Sequence, residues 1–263
     1  MSRGALVKMV GMPPPTTTPR VAVIGGSLGG LTTALVLRDA GCAVTVYERS
    51  QIELAGLGAG IVVQEATVRY LTERLGMRLE DISVAARVLQ YLGPDNAVTF
   101  ERPSPYRFTA WNTIYRALIG ALGQDAYRRG HALVGFDQDG DGVEVRFANG
   151  ATDRVDLLVC VDGVASTARK RLLPTVEPRY SGYVGWRGTV TESLLSRETF
   201  DVLSDAITYG LAPNSHIVAY QIPSVAGGMQ QGERLVNFVW YRNVAEGAEL
   251  DELMTDRDGL PRP

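Results

Sequence analysis

The first clear pattern along the chain is the short run Val21-Ala22-Val23-Ile24, in which no polar residue interrupts the apolar positions. Such a run is typical of a parallel strand that is buried on both faces. A glycine-rich turn over 25–30 follows, and apolar residues then recur at helical spacing until Gly41, a residue that favours helix ends. The β-rich segment 43–47 comes next and ends at Glu48. Strand, turn, helix and strand in this order predict a βαβ unit.

Beyond residue 50 the periodicity alternates between helix and strand. Apolar positions at helical spacing predict helices over 64–75, 112–122 and 166–172. Apolar or alternating segments bounded by Gly, Pro, Asn and Asp predict strands. In this middle part of the chain the predicted strands are 84–92, 97–100, 143–147 and 155–161.

After Pro174 the pattern changes to strands in close succession, with one helix predicted over 192–203. Strands that follow one another through short turns pair antiparallel most easily. The sequence therefore predicts a second, mostly antiparallel sheet from the strands 183–190, 207–211, 216–222 and 234–242.

Composition excludes several classes of protein. The 263 residues carry 26 Lys and Arg against 29 Asp and Glu, and the formal net charge of −3 gives no basic surface for nucleic acid. Hydrophobic residues make up 45% of the chain and charged residues 21%, unlike a disordered protein. No apolar run reaches the roughly 18 residues that span a bilayer. The length predicts one large domain or two small ones.

Two smaller features of composition add expectations. Residues 1–19 are rich in proline and threonine, which predicts a flexible tail. The only cysteines, Cys42 and Cys160, are too few for a disulfide framework, so we expect a reducing cytoplasm. With the two histidines they are too scattered for a metal site, and none is predicted.

The 29 glycines exceed average usage, and their first cluster, at 25–30, suggests a function. A strand that runs through a glycine turn into a helix aims backbone N–H groups at one point, and a pyrophosphate suits such a site. Gly25 and Gly30 match the Gly-x-Gly-x-x-Gly pattern, with Ser27 in place of the middle glycine. A carboxylate at Glu48 suits the hydroxyls of an adenosine ribose. The alternative is an ordinary βαβ turn with a solvated Glu48.

These residues predict a dinucleotide without deciding between NAD and FAD, and other motifs bear on that choice. They are Val44-Thr45-Val46-Tyr47-Glu48-Arg49, Gly58-Ala59-Gly60-Ile61 and Asp162-Gly163-x-x-Ser166-x-x-Arg169. Together with the glycine turn, and in this order, they resemble the single-component FAD-dependent aromatic hydroxylases from about residue 20 to the end. In texture, including 183–188 and 235–244, the chain is most similar to the group that hydroxylates dihydroxypyridines.

The resemblance implies an α/β fold with a Rossmann-like FAD-binding domain and a mostly antiparallel β-sheet substrate domain, as in para-hydroxybenzoate hydroxylase. It implies a discontinuous FAD-binding domain of 20–75 and 108–175, and a partial substrate-binding domain of 76–107 and 176–263. Family members continue through a Gly-Asp motif that binds the flavin ribityl and phosphate. No match to that motif follows residue 200, so the resemblance implies that the C-terminal third is missing.

The resemblance also assigns residues to FAD. They are Gly25, Ser27, Leu28 and Gly29 at the pyrophosphate, Glu48 at the ribose, Arg49 on the adenine side, Gly60 by the flavin, Arg116 reaching the cofactor, and Asp162 with Gly163 at the ribityl or pyrophosphate region. Without the resemblance, Arg116 would be interpreted as part of a solvated helix face and Asp162 as an ordinary strand-end turn.

The reaction that the resemblance implies is hydroxylation of an electron-rich aromatic or N-heteroaromatic ring, dihydroxypyridine-like, with NADH or NADPH and O2. A base or hydrogen-bonding pair that deprotonates or polarises a ring hydroxyl would help. The two-residue period of the strand 216–222 places His216, Val218 and Tyr220 on one face. We therefore predict that His216 and Tyr220 face the substrate; the alternative is a surface histidine on an antiparallel strand.

Two other functions stay open at this stage. One is a different FAD or NAD(P)H oxidoreductase on the same fold, and the other is a truncated, non-catalytic nucleotide-binding remnant. The expected partners are a small aromatic substrate and O2, with a homodimer as the expected assembly, and neither nucleic acid nor a membrane is expected.

Overall fold

The computed structural model describes residues 18–56 and 58–261, so the predicted tail over 1–19 lies outside the described residues except for its last two. The described residues form two compact units. The first comprises the residues up to Gln51 together with Asp125–Ala168, and the second comprises Ile52–Gln124 together with the residues from Arg169 onward.

Sixteen strands and seven α-helices occur in the described part of the chain. The strands β1 to β16 are Arg20–Ile24, Ala43–Tyr47, Gly60–Val62, Val84–Ala85, Val88–Leu92, Val98–Pro103, Arg107–Ala110, Tyr127–Arg128, Leu133–Asp139, Gly142–Phe147, Thr152–Val155, Leu157–Cys160, Tyr183–Thr191, Ala206–Ala212, Ser215–Ile222 and Leu235–Asn243. The helices α1 to α7 are Leu28–Asp39, Glu65–Arg69, Leu79–Ile82, Trp111–Leu122, Thr167–Leu172, Arg197–Leu203 and Ala248–Leu253.

The first unit contains the predicted βαβ unit, which is confirmed. Strand β1 lies between β2 and β12 and pairs parallel with both, in the sheet order β12-β1-β2-β8. Its apolar run is buried because neighbours cover both of its edges and α1 follows directly. An antiparallel sheet, β11-β10-β9, contributes Val145 and Phe147 to a core that also holds Ala22 and Tyr47.

The predicted strand 155–161 is wrong in its extent, because the chain changes partners at Asp156. Strand β11 before it pairs antiparallel with β10, and strand β12 after it pairs parallel with β1. At the break, the Asp156 N–H donates to the Arg20 carbonyl at 2.9 Å, and the Asp156 carboxylate accepts the Arg20 N–H at 2.6 Å. Two short strands in different sheets therefore replace one long strand.

The second unit contains a six-stranded sheet in the order β13-β16-β15-β14-β5-β6. All its pairings are antiparallel except that of β14 with β5, so the prediction of a mostly antiparallel sheet is confirmed. A three-stranded sheet, β3-β7-β4, belongs to the same unit. The core of this unit includes Phe108 from β7 and Ile207, Val218 and Tyr220 from the large sheet.

Two further sequence predictions in this unit are wrong in detail. The predicted strand 84–92 divides into β4 and β5, which join different sheets, because the Arg87 N–H donates to the Asp205 carbonyl at 2.6 Å. The helix predicted over 192–203 covers only Arg197–Leu203 after a single 3₁₀ turn. It begins at Ser196, whose hydroxyl accepts the Thr199 N–H at 3.2 Å.

The two units divide the chain differently from the predicted domain boundaries. Residues 52–75, 108–124 and 169–175 fall in the second unit, whereas the predicted FAD-binding domain includes them; that domain division stays a prediction. The reason is strand pairing: β3 pairs with β7, and α4 follows β7 directly. Within the described residues, no helix is long and apolar enough to cross a membrane.

A buried ion-pair cluster joins separate segments of the second unit. Arg234, which is 4% exposed, donates from Nε and Nη2 to the two carboxylate oxygens of Glu192 at 2.9 and 2.6 Å. Its Nη1 donates to Asp205 at 2.6 Å. Burial alone would lower the pKa of Arg234, but the hydrogen bonds to Glu192 and Asp205 raise it. The Arg234 guanidinium therefore stays charged and paired.

Removing this arginine should destabilise the protein strongly. In Arg234→Met the Glu192 carboxylate stays buried without its cation, so we expect the free energy of unfolding to fall by about 3–5 kcal/mol. Urea unfolding of the variant and the wild type measures this difference.

The matched control is Arg197→Met, which removes an exposed pair with Asp201 on α6 and should cost less than about 1 kcal/mol. Equal effects of the two substitutions would contradict the structural role given to Arg234.

Candidate functional site

The glycine turn of the first unit is packed so closely that no side chain fits at Gly25, Gly26 or Gly30. Gly25 adopts a φ of +107°, and a Cβ atom there would overlap the Val161 carbonyl. Its N–H donates to the Tyr47 carbonyl at 2.9 Å. A Cβ atom at Gly30 would overlap the carbonyl oxygen of Gly25. The turn is therefore fixed against the ends of β1, β2 and β12.

Gly26 is held from two sides. Its N–H donates to Glu48 Oε2 at 2.8 Å, and its carbonyl accepts a hydrogen bond from the Tyr127 hydroxyl at 3.0 Å. A Cβ atom at this position would lie 2.6 Å from Tyr127 Cζ, which is far inside van der Waals contact. Sequence reasoning missed Tyr127, because nothing in its local pattern relates it to a turn 101 residues earlier.

Glu48 is buried and holds the turn in place. Besides Gly26, its carboxylate accepts the Ser50 N–H at 2.8 Å through Oε1. A carboxylate offers about four acceptor positions, so each oxygen keeps capacity for another donor. The residue predicted for the ribose is thus next to the turn, and it also supports the turn structurally.

The first turn of α1 has the features of an anion site. Ser27 is the N-cap residue, but its exposed side chain makes no capping hydrogen bond. The first N–H groups of any helix lack partners within the helix. The first turn of α1 also carries no acidic residue that would neutralise the positive end of the helix dipole. Leu28 and Gly29 open this helix.

Asp162 lies beside the same turn but uses its carboxylate locally. One oxygen accepts the Ser166 hydroxyl at 2.6 Å, and the other accepts the Thr167 N–H at 2.8 Å. The side chain therefore caps α5. Its backbone nitrogen lies 3.3 Å from where a Cβ of Gly25 would be. The main chain of Asp162 and the exposed Gly163 thus stand next to the turn.

The two predicted arginines are both exposed. Arg49 follows Glu48 at the end of β2. Arg116, on α4 of the second unit, donates from Nη1 to the Val225 carbonyl at 2.7 Å and so supports the loop after β15.

Burial, with a smaller effect from Asp162, raises the pKa of Cys160 to about 11, so this thiol stays protonated near neutral pH.

In the second unit, Gly60 touches the large sheet. Its N–H donates to Asn237 Oδ1 at 2.8 Å, and a Cβ there would lie 2.6 Å from Tyr220 Cε2. Asn237 is fully buried, and its Nδ2 has no partner among the described residues. Sequence reasoning missed Asn237, although a lone amide in the apolar run of β16 was a usable signal.

One face of the large sheet carries a group of aromatic rings, which we call the aromatic face. The strand register places His216, Val218 and Tyr220 on this face, in agreement with the two-residue period. Neighbouring strands add Tyr209 and Tyr241. The ring of Tyr220 stacks on Phe108 at 4.0 Å, the ring of His216 stacks on Tyr241 at 4.9 Å, and the rings of Tyr209 and Tyr91 stack at 5.2 Å.

Burial determines the protonation state of the phenol that was predicted to contact substrate. It raises the pKa of Tyr220 to about 12. The hydroxyl therefore stays protonated at neutral pH and is suited to donate a hydrogen bond rather than to act as a base.

Among the residues that the structure describes, no three His, Cys, Asp or Glu side chains come together as a metal site would require.

Comparison with known proteins gives matches along most of the chain. This chain is 44% identical over 252 residues to the 2,6-dihydroxypyridine 3-monooxygenase of Paenarthrobacter nicotinovorans. The match covers 94% of this chain and 61% of the relative. The resemblance to the FAD-dependent aromatic hydroxylases is confirmed. A family model described as FAD binding domain-like matches residues 180–262.

Other comparisons support the same aromatic hydroxylase fold. A solved structure of 2,6-dihydroxypyridine-3-hydroxylase from Arthrobacter nicotinovorans matches 94% of this chain at 43% identity, with a TM-score of 0.84. The 3-amino-4-hydroxybenzoate 2-monooxygenase PtmB3 of Streptomyces platensis is 31% identical over 217 residues, covering 78% of this chain and 53% of the relative. The predicted fold class is confirmed. The chain spans between half and two thirds of the length of these proteins.

Substitution of Gly26 tests the close packing of the turn. In Gly26→Ala the new methyl group overlaps the Tyr127 ring, and such overpacking should lower the free energy of unfolding by about 1–3 kcal/mol. Urea unfolding measures the change.

The control is Gly120→Ala on α4, where a Cβ meets nothing within 4 Å. Alanine is favoured over glycine inside a helix, so this variant should gain about 0.5–1 kcal/mol. A neutral Gly26→Ala would show that the turn has room to move.

Proposed function

We propose that this chain is the FAD-binding and substrate-binding part of a monooxygenase that hydroxylates an electron-rich aromatic or N-heteroaromatic ring, dihydroxypyridine-like, with NADH or NADPH and O2. The observation that carries the proposal is the 44% identity, over 94% of the chain, to a 2,6-dihydroxypyridine 3-monooxygenase. The glycine turn and the aromatic face supply the two kinds of site that such a reaction needs.

The turn fits the adenosine diphosphate half of FAD. We assign the pyrophosphate to Gly25, Ser27, Leu28 and Gly29, because the uncapped start of α1 offers N–H groups and an uncompensated positive dipole. We assign the ribose to Glu48, whose carboxylate has acceptor capacity beyond its two backbone hydrogen bonds.

The other predicted cofactor residues would contact FAD in different ways. We assign Arg49 to the adenine side because it is exposed directly after Glu48. Asp162 and Gly163 would contact FAD through their main chain, since the Asp162 carboxylate caps α5. Gly60 would approach the flavin through a backbone that Asn237 holds. Arg116 uses only Nη1 for its hydrogen bond to Val225, and we assign its Nε and Nη2 to the cofactor.

When bound and reduced by NAD(P)H, FAD supplies the transfer of an oxygen atom from O2 to the ring. The chain's own residues have other tasks. The aromatic face excludes water and stacks against a planar ring. Tyr220 donates a hydrogen bond to a ring oxygen, and His216 polarises the ring hydroxyl or accepts its proton. These roles leave the oxygen chemistry to the cofactor.

Assembly and location belong to the same proposal. We propose a homodimer on the resemblance alone. A cytoplasmic location rests on the two cysteines, which are unpaired. The FAD-binding role goes mainly to the first unit, and the substrate-binding role goes to the large sheet of the second.

The experiment combines the visible spectrum of the purified protein with its NADH oxidation. Bound flavin absorbance, NADH oxidation stimulated by 2,6-dihydroxypyridine and a hydroxylated product support the proposal. Reduction of flavin without a hydroxylated product favours another FAD or NAD(P)H oxidoreductase on this fold. A colourless protein that does not take up added FAD favours a non-catalytic nucleotide-binding remnant.

Glu48→Gln should weaken FAD binding. The substitution removes the charge and one acceptor from the site assigned to the ribose, so we expect affinity to fall about tenfold, the loss of roughly one charge-assisted hydrogen bond. Quenching of flavin fluorescence measures the affinity. The control Glu65→Gln, at an exposed position on α2, should bind FAD like the wild type. Wild-type affinity in Glu48→Gln would remove this residue from the ribose site.

Substitutions on the aromatic face should separate NADH oxidation from hydroxylation. In His216→Ala and Tyr220→Phe the ring hydroxyl loses its polarising partners, so we expect less hydroxylated product for each NADH oxidised. Simultaneous measurement of NADH, O2 and product gives this ratio. A wild-type ratio in both variants would contradict the assignment of these two residues.

A further inference from the structure

Arg187 is a cation on the aromatic face. The register pairs it with Val239 on β16, and Val239 pairs with Val218 on β15, so all three side chains lie on the same face. On β13, β14, β15 and β16 it is the only Lys, Arg, Asp or Glu of this face. A second cation of the face, the exposed Arg102, lies on β6 at the opposite edge of the sheet.

The guanidinium of Arg187 is exposed and has no hydrogen-bond or ion-pair partner within the described part of the chain. The contrast with Arg234 is clear, since that side chain is surrounded by Glu192 and Asp205. Burial raises the pKa of Tyr220, and the positive charge of Arg187 opposes that rise.

The other polar groups of this face cannot replace that charge. Tyr209 and Tyr220 are neutral donors, since burial raises the pKa of both. The ring of His216 is stacked against Tyr241. A planar guanidinium, by contrast, stacks on aromatic rings and presents paired N–H donors to an anionic oxygen. The part of the face around Tyr220 therefore combines apolar walls with the positive charge of Arg187.

We propose that Arg187 binds an ionised ring oxygen of the substrate and so selects the anionic form of a hydroxyaromatic ring. The inference rests on the proposed function, because it takes the aromatic face as the surface that binds the ring. It adds a specificity: Tyr220 recognises an oxygen, and Arg187 recognises its negative charge. The ionised ring is also the more electron-rich one, which is the form that accepts an oxygen atom more readily.

The test compares two probes of similar shape, 4-nitrophenol at a pH where it is ionised and 4-nitroanisole, which cannot ionise. Equilibrium dialysis against the 263-residue chain with excess FAD gives both affinities. The variants are Arg187→Met, Arg187→Lys and the control Arg242→Met. Arg242 lies on the neighbouring strand β16, three residues after Val239, and its side chain is therefore on the opposite face.

We expect Arg187→Met to bind 4-nitrophenolate at least about tenfold more weakly than the wild type, with 4-nitroanisole unaffected. Arg187→Lys should lose less affinity for 4-nitrophenolate, because it keeps the positive charge but not the paired N–H donors of the guanidinium. Arg242→Met should match the wild type. Circular dichroism and thermal unfolding confirm that each variant is folded.

Two results would overturn the inference. One leaves the proposed function intact, and the other also contradicts the proposed substrate site. In the first result, Arg187→Met keeps full affinity for 4-nitrophenolate and Tyr220→Phe lowers the affinity for both probes. The aromatic face then binds rings, but Arg187 does not recognise their negative charge. The proposed function then stands. If the wild type binds neither probe, the aromatic face is not a ring-binding surface, and the proposed substrate site fails with the inference.

Discussion

The close backbone approach at Gly25, Gly26 and Gly30 is the constraint on which the first unit depends. Three strand ends meet there, and each glycine lies where a methyl group would strike a carbonyl or the Tyr127 ring. The buried Glu48 carboxylate then ties the turn to β2 through the Gly26 N–H. Because the turn is fixed by packing and by this bond, the first N–H groups of α1 keep one direction. Steric exclusion therefore sets the direction of these N–H groups before any ligand arrives.

The second unit uses the same means for a different purpose. Gly60 comes close enough to the large sheet for its N–H to reach Asn237, which only a residue without a side chain allows beside Tyr220. The sheet supplies a firm support, since β15 has partners on both edges and Tyr220 is stacked on Phe108. The polar contact of Gly60 is therefore made to a sheet whose backbone is already fixed by neighbouring strands.

The sequence predicted those features that depend on neighbours close along the chain. The βαβ unit, the position of Glu48 beside the turn and the shared face of His216 and Tyr220 all follow from local periods. The breaks at Asp156 and Arg87 could not be predicted, because each depends on a hydrogen bond to a distant residue, Arg20 or Asp205. Tyr127 was missed for the same reason, since its partner Gly26 lies 101 residues away. Asn237 also has a distant partner, Gly60, but its amide in the apolar run of β16 was a local signal.

The hydrogen bond between Gly60 and Asn237 has a consequence for how the protein is made. The two residues are 177 positions apart, and a ribosome adds about 5–20 residues per second, so Gly60 leaves it on the order of 10 s or more before Asn237. During that interval β3 can pair with β7, but the support that β16 gives to Gly60 does not yet exist. The loop beside the aromatic face is thus among the last parts of the second unit to take its final position.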